Sequence, residues 1–398
     1  MSDWKRGKLG DHVRFYNGRI YPKESGSVPV YGGNGILAHT NKSNYDKCLI
    51  IGRVGANCGS VHICNESCWV SDNAIAAQPD DTCDLAYIYY QLSALNLNRL
   101  QIGSGQPLMT QGILSRFSIT YPPLFNQHAI AKVLAALDKK IALNQRLNDN
   151  LEAMAQALYD YWFVQFDFPD ENGKPYKSSG GKLVWNEVLK REIPADWAVA
   201  PFSAFGELRN GVNYGKGERG NSEYKIINVR NISASRHLIS TDDLDVVSLD
   251  KKKGSAYIVK KNDILIARSG VPGAVRLIET NGANIIFCGF IIAFAIHDMM
   301  NRYSLYYQLK EYEGTTATTT GGTILQNVSQ ETLKRLQLLA PTPYVLREFN
   351  ACIARIYGRL ESIQQEITSL TKQRDFLLPL LMNGQVQVKP LNYRLADD

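Results

Sequence analysis

The sequence predicts an α+β fold in which two mixed, mostly β globular halves alternate with two long helices, the halves related as a pseudo-twofold repeat. Two observations carry that class. Motifs recur in the same order in the two halves, and a heptad pattern of apolar residues appears twice at a constant offset. With 398 residues, 44% hydrophobic and 21% charged, the chain has length and apolar content for more than one packed core.

The repeat is read directly from the letters. "YYQL" at 89–92 recurs at 306–309, and each copy runs into a small polar loop, "GSGQPLMTQ" from Gly103 and "TTATTTGGTILQN" from Thr315. A strand ending in proline follows each loop, "RFSITYPP" to Pro123 and "RLQLLAPTP" to Pro343. Upstream, "CLIIGRVG" from Cys48 matches "ILIARSG" from Ile264, which pairs Arg53 with Arg268 and Gly55 with Gly270.

Within residues 1–123, short β-branched and aromatic runs punctuated by Gly and Asn read as strands: "HVRFYNG", "VPVYGGNG", "KCLIIG", "GSVHIC" and "CWVSDNAIAA". A helix is expected near Leu85–Leu95. Residues 197–343 echo this with "YKIINV", "YIVKKNDILIA", "GAVRLIE", "IIFCGFIIAFAI" and a helix near Arg302–Tyr312. Between the halves, "FDFPDENGKPYKSSGGKLVW" is rich in Gly, Ser, Pro and charge and reads as a turn-containing linker.

After each proline-marked strand comes the helical pattern. Ile130, Leu134, Leu137, Ile141, Asn144, Asn148, Leu151, Ala155, Leu158 and Trp162 alternate spacings of four and three. Phe349, Ile353, Ile356, Leu360, Ile363, Ile367, Leu370, Arg374, Leu377 and Leu381 keep the alternation, each 219 residues later. So narrow a seam suits pairing with another long helix, and the other copy is the nearest partner. Asn144 and Asn148 are expected to face Ile363 and Ile367 by sequence equivalence and to fix register. The expected organisation is therefore a first domain over 1–125, a long helix over 126–165, a linker over 166–196, a second domain over 197–343, and a second long helix with a tail over 344–398.

Charge and chemistry narrow the function. The balance is +6 from 44 basic and 38 acidic residues, with a pI near 8.8, which permits nucleic-acid binding without establishing it. No apolar run is long enough to span a bilayer and the first residues are polar, so a cytoplasmic, membrane-independent protein is expected. Seven cysteines fit reduced thiols. Cys58, Cys64, Cys68 and Cys83 lack the tight knuckles of a zinc site and are expected as buried free thiols, so no metal is assigned. The six histidines form no HxxxH pair, and "YGGNGI" lacks the lysine and helix of a phosphate loop. "TYPPLF" has Tyr121 where an amino-methyltransferase would carry Asn, and "PDENGK" has the wrong spacing for a nuclease. No catalytic residue is assigned.

What remains is a set of basic, polar and aromatic residues on Gly-rich segments of both halves. In the first these are Arg14, Arg19, Tyr31, Asn34, Lys42, Arg53, Ser104, Gln106 and Gln111. In the second they are Arg209, Asn213, Tyr214, Lys216, Arg219, Arg230, Arg268, Thr319 and Thr320. Arg can bond guanine bidentately, Asn or Gln can bond adenine, and hydroxyls can hold phosphates. Each is also a plausible solvated surface side chain, and Arg53 and Arg268 could instead be structural arginines buried against a carboxylate.

Together "IIGRVG", "ILIARSG", "GGTILQNVS", "YPPLFNQHAIAKVLAALDKKI", "YDYWFVQFDFPDENGKPYK", "VWNEVLKREIPADW" and "LLPLLMNGQV" resemble the DNA-specificity subunit of type I restriction-modification systems, over essentially the whole chain. The second helix departs by starting "REFNACIARI". The resemblance implies that each half is a target-recognition domain reading one part of a split, asymmetric site on double-stranded DNA. It implies that the helices form an antiparallel coiled-coil pair, setting the gap and docking two methyltransferase subunits. S-adenosylmethionine, ATP and magnesium would then be bound by those subunits and by restriction/translocase subunits, none by this chain. Readings from other classes are a helical scaffold that binds proteins and a stand-alone DNA-modifying enzyme with an unfamiliar site. Methyl-transfer assays of the purified chain and DNA affinity at low salt separate them.

Overall fold

A computed structural model describes residues 3–95, 97–100, 108–215, 217–241, 243–279, 284–313 and 328–388. The chain divides into two compact units, Met1–Leu143 with Ser369–Asp398, and Asn144–Thr368.

In the first unit the chain forms β1 (Lys5–Lys8), α1 (Leu9–His12), β2 (Val13–Asn17), β3 (Val28–Gly32), β4 (Gly35–Thr40), β5 (Cys48–Gly52), β6 (Val61–Cys64), β7 (Trp69–Val70) and β8 (Ala74–Pro79). Then come α2 (Leu85–Ala94), α3 (Gln111–Arg116), β9 (Ser118–Tyr121) and the first part of α4 (Leu124–Tyr159). One sheet has the order β2-β8-β5-β6, a second β4-β3-β7, and β1 pairs β9 as a two-stranded clasp. β5 is the continuous apolar run "CLIIG", buried at every position because layers cover both faces. The N-cap Asp84 accepts from Tyr87 N at 2.7 Å and starts α2. Leu49, Ile51, Ile75 and Tyr87 share one core with Ile130 and Leu134 of α4 and with Leu381.

The second unit holds the rest of α4, which ends in a π-helical turn at Asp160–Val164, and the hairpin of β10 (Leu183–Asn186) and β11 (Arg191–Pro194). It continues with β12 (Ala198–Pro201), β13 (Gly206–Asn210), β14 (Ser222–Ile227), α5 (Val229–Ala234), β15 (Asp245–Leu249), α6 (Lys251–Ser255), β16 (Asp263–Ala267), β17 (Val275–Leu277), β18 (Ile285–Phe287) and β19 (Ile291–Ile296). α7 (Arg302–Lys310), α8 (Gln330–Lys334), β20 (Gln337–Ala340) and α9 (Pro343–Met382) follow, α9 running on past the unit. Its sheets have the orders β13-β19-β16-β17, β15-β14-β18 and β12-β20. Strand for strand these match the first unit, including the parallel pairs β3/β7 and β14/β18. The duplication read from motifs is thus a duplication of topology.

The seam residues are buried or half-buried throughout both helices. Within the first unit Asp138 of α4 meets Arg374 of α9, and within the second Trp162 lies 5.5 Å from Phe349. Rising numbers on one helix meet falling numbers on the other, so the pairing is antiparallel in each unit. Sequence equivalence therefore misplaces the partner of Asn144, whose Nδ2 donates to Glu366 Oε2 at 2.8 Å.

Three expectations change. "CWVSDNAIAA" and "IIFCGFIIAFAI" are each two strands of different sheets, broken by turns in which Ala74 N donates to Ser71 O at 3.0 Å and Ile291 N to Cys288 O at 2.9 Å. The turn-containing linker expected over 166–196 is also packed: Phe166, Phe168 and Ile193 are buried in the core with Trp197. Within it Asp170 Oδ1 accepts from the backbone of Asn172 and Lys174, both at 2.8 Å, so that aspartate shapes a turn.

Candidate nucleic-acid interface

In each unit, three chain segments meet at one end of the four-stranded sheet. In the first, Gly18 N donates to Ala74 O and Arg53 N to Asn73 O, both at 3.0 Å. In the second, Gly211 N donates to Ile291 O at 3.0 Å and Arg268 N to Phe290 O at 2.9 Å. The exits of β2 and β5 thus converge on the start of β8, and the exits of β13 and β16 on the start of β19. Glycine is required at the first crossing, because a Cβ on Gly18 would lie 1.9 Å from Ser71 O and one on Gly211 2.1 Å from Cys288 O.

Arg53 and Arg268 stand at equivalent corners of this arrangement. Arg53 is half-buried and Arg268 exposed, and neither guanidinium has a hydrogen-bond or ion-pair partner among the described residues. The alternative of a structural arginine against a carboxylate does not hold for either. Met109 N donates to Arg53 O at 2.9 Å, so the chain leaving the polar loop before it is tied to the same corner.

The other expected residues divide by environment. Arg14 is exposed on β2, and Asn34 is exposed in the β3–β4 turn, where Gly33 O accepts from Ser60 Oγ and contacts His62 Nε2 at 3.2 Å. Lys42 pairs with Glu24 at 3.5 Å on the surface. Tyr31 is half-buried against a core of thiols and its hydroxyl is pushed up to about 12, chiefly by burial. Arg19 and Gln111 border one cleft.

In the second unit Arg209 is a correction. Its guanidinium is ion-paired with the fully buried Asp263, donates to Ile258 O at 3.0 Å and lies over the Phe287 ring at 5.1 Å. Burial raises the Asp263 carboxyl despite that pairing. Arg230 is engaged by Asp245 at 2.7 and 3.3 Å, with Asp243 at 3.6 Å, which offsets its charge. Asn213, Tyr214 and Arg219 are exposed, Tyr214 OH reaching Asn228 Oδ1 at 3.4 Å. Ser104, Gln106, Lys216, Thr319 and Thr320 lie outside the described residues.

The cysteines do not converge on a metal geometry. Cys58 and Cys83 belong to one core cluster and Cys64 and Cys68 to another, where Cys68 Sγ is 3.7 Å from Cys48 Sγ. His12, Asp80 and Cys83 come together, yet both His12 ring nitrogens are engaged, by Thr82 Oγ1 at 2.9 Å and Tyr121 OH at 2.7 Å. That cluster holds the start of β2 against β9.

Comparison with known proteins follows the same lines. Residues 1–153 match the family described as type I restriction modification DNA specificity domain. The match spans the sheets of the first unit and most of α4. The MjaIX specificity subunit of Methanocaldococcus jannaschii is 24% identical over 325 residues, covering 79% of this chain and 72% of its own. The HindI specificity subunit of Haemophilus influenzae is 24% identical over 333 residues, 70% of this chain and 71% of its own. The EcoprrI specificity subunit of Escherichia coli is 29% identical over 139 residues, 35% of each chain. The crystal structure of the S subunit from M. genitalium shares the fold, with a TM-score of 0.60 at 16% identity over 95% of this chain and 96% of that one. These relatives are named for specificity rather than for a reaction. Among the described residues, no helix is long and apolar enough to cross a membrane.

Proposed function

We propose that this chain is the specificity subunit of a type I restriction-modification system, that it reads a bipartite, asymmetric site on double-stranded DNA, one part with each sheet-built unit, and that α4 and α9 set the gap between the parts. The observation that supports this best is the pair of unpartnered arginines, Arg53 and Arg268, at equivalent corners of two sheets with identical strand order. Sequence-specific contacts need donors held on a rigid frame, and the crossings at Gly18 and Gly211 supply it.

The helices would also dock two methyltransferase subunits. Leu147 and Met154 on α4 and Tyr161 in the turn that ends it are exposed apolar residues at spacings of seven, away from the seam. Such a stripe suits a partner helix. In this reading S-adenosylmethionine is held by the methyltransferase subunits, ATP and magnesium by restriction/translocase subunits, and the assembly works in the cytoplasm.

The test exchanges residues 1–125 for the equivalent domain of a relative with a different site. Methylome sequencing of cells carrying the complete system should show one half-site changed and the other retained. A change in both, or in neither, would refute the division of labour.

A further inference from the structure

A cleft of about 490 Å³ opens on the first unit beside the arginine corner, lined by Tyr16, Asn17, Arg19, Ser43, Tyr45 and Trp69. Asn17 is in register with Ile75, which is in register with Ile51, so the cleft lies at the same sheet end as Arg53.

Its frame is rigid. Asn44 bonds both ways with the backbone of Val70, its Nδ2 donating to the carbonyl at 3.2 Å and its Oδ1 accepting from the amide at 2.8 Å. Tyr45 and Cys68 exchange backbone hydrogen bonds at 3.2 and 2.8 Å. Arg19 is clamped at both ends of its main chain: its amide donates to Val70 O at 3.0 Å, and its carbonyl accepts from Trp69 Nε1 at 3.0 Å.

The groups facing outward are not used by the fold. The Arg19 guanidinium and the hydroxyls of Tyr16, Ser43 and Tyr45 have no hydrogen-bond partner among the described residues. The Tyr16 and Tyr45 rings stand 6.2 Å apart, tilted by 40°, and the Arg19 charge acts on the Tyr45 hydroxyl. A cation carried on a fixed stretch of main chain, beside aromatic walls and free hydroxyls, suits a flat, acceptor-rich edge; a phosphate would need only charge at the rim.

The described residues at the equivalent places of the second unit differ. Counting from the matched glycines, Arg209 replaces Tyr16 and is turned onto Asp263, while buried Val212 replaces Arg19. An asymmetric site needs such a difference between two copies of one fold.

We propose that this cleft is a base-reading pocket of the first unit, in which the Arg19 guanidinium donates to the O6 and N7 acceptors on the major-groove edge of a guanine, with Trp69 as its positioning residue. The proposal rests on the DNA-recognition reading above.

The experiment uses the complex reconstituted with its methyltransferase subunits and a DNA library randomised in both half-sites, with methylation read by sequencing. Arg19→Ala should lose preference for guanine at one position of one half-site by about tenfold or more. Arg19→Lys should lose most of that preference while keeping the charge, and Trp69→Phe part of it. The other half-site, unchanged, reports that the variants are folded. An unaltered motif, or a uniform loss at every position, would overturn the pocket. A wild-type complex that selects no motif would overturn the recognition reading, and the pocket with it.

Discussion

Arg374 Nη1 meets Asp138 Oδ1 at 2.9 Å, at a place in the α9 seam where the heptad pattern asks for an apolar side chain. The other oxygen of Asp138 accepts from Tyr90 OH at 2.6 Å, so one carboxylate ties α2, α4 and α9 together in the first unit. Both charged side chains are 30% exposed, enough to screen the pair in part. Arg374→Ala should cost about 1–2 kcal/mol. Arg374→Leu should cost less, because it restores an apolar seam position. Urea unfolding of the two variants against wild type measures both.

A larger loss is expected at Arg209. Removing it strands the carboxylate of Asp263 in the interior, at about 3–5 kcal/mol. Arg209→Ala should unfold at lower denaturant, while the molecules that remain folded keep their sequence preference. A stable variant with altered specificity would return Arg209 to the interface.

Arg53 and Arg268 should behave in the opposite way. Neither has a partner to strand among the described residues, so Arg53→Ala and Arg268→Ala should leave the urea midpoint nearly unchanged and weaken DNA binding by the complex. A base contact is worth about 1–3 kcal/mol and relaxes one position. A phosphate contact weakens all sequences alike and lowers the slope of log K against log salt by about 0.9. Titrations at three salt concentrations on matched and mismatched DNA separate the two.

His237 makes the second unit sensitive to acid. It is buried, contacts Tyr306 OH at 2.9 Å and faces Lys310, Arg276 and Arg236. Burial first, then those cations, depress it from 6.5 to about 3. A depressed folded value means that the neutral ring's stabilisation is complete above pH 6.5 and is lost as pH falls toward 3, by at most about 1.4 kcal/mol per pH unit. His237→Gln should flatten that part of the stability profile, read as the wild-type minus variant difference between pH 7 and 4.

The helices offer a mechanical test. One heptad inserted into both at equivalent points keeps the seam in phase and adds about 10 Å, close to three base pairs. The half-sites should stay the same and the preferred gap should lengthen by about two or three base pairs. Two inserted residues should break the seam and destabilise the protein. Methylation across a library of gap lengths reads the outcome; an unchanged gap in a folded heptad variant would refute the helices as a spacer.

Local pattern made the helices legible. Ile130 to Trp162 spells its own period, and so does Phe349 to Leu381, although the helices extend to Leu124–Tyr159 and Pro343–Met382. The matched sheets were legible as a repeat of motifs but not as an order of strands, since β3 pairs β7 across nearly forty residues. Trp69 and Ala74 sit in one apolar run, and only the turn at Ser71–Asn73 assigns them to different sheets. At the interface the corner arginines were visible because they repeat. Tyr45 and Trp69 were not, because each owes its place to a backbone partner distant in sequence. The place of Arg209 is hidden from the sequence for the same reason: Asp263, 54 residues on, decides which way it points.

Asn144 and Glu366 carry a further consequence. A chain made of two similar halves exposes each helix to the same helix of another molecule, which offers nearly the same apolar stripe. In such a self-association the place of Glu366 would be taken by its counterpart 219 residues earlier, Leu147. The buried amide of Asn144 would then lose its acceptor, at about 1–3 kcal/mol, and a symmetric dimer would suffer that loss twice. One polar pair thus favours the helices of a single molecule folding back on each other over strangers meeting, and keeps the helices of one chain from being shared between neighbours.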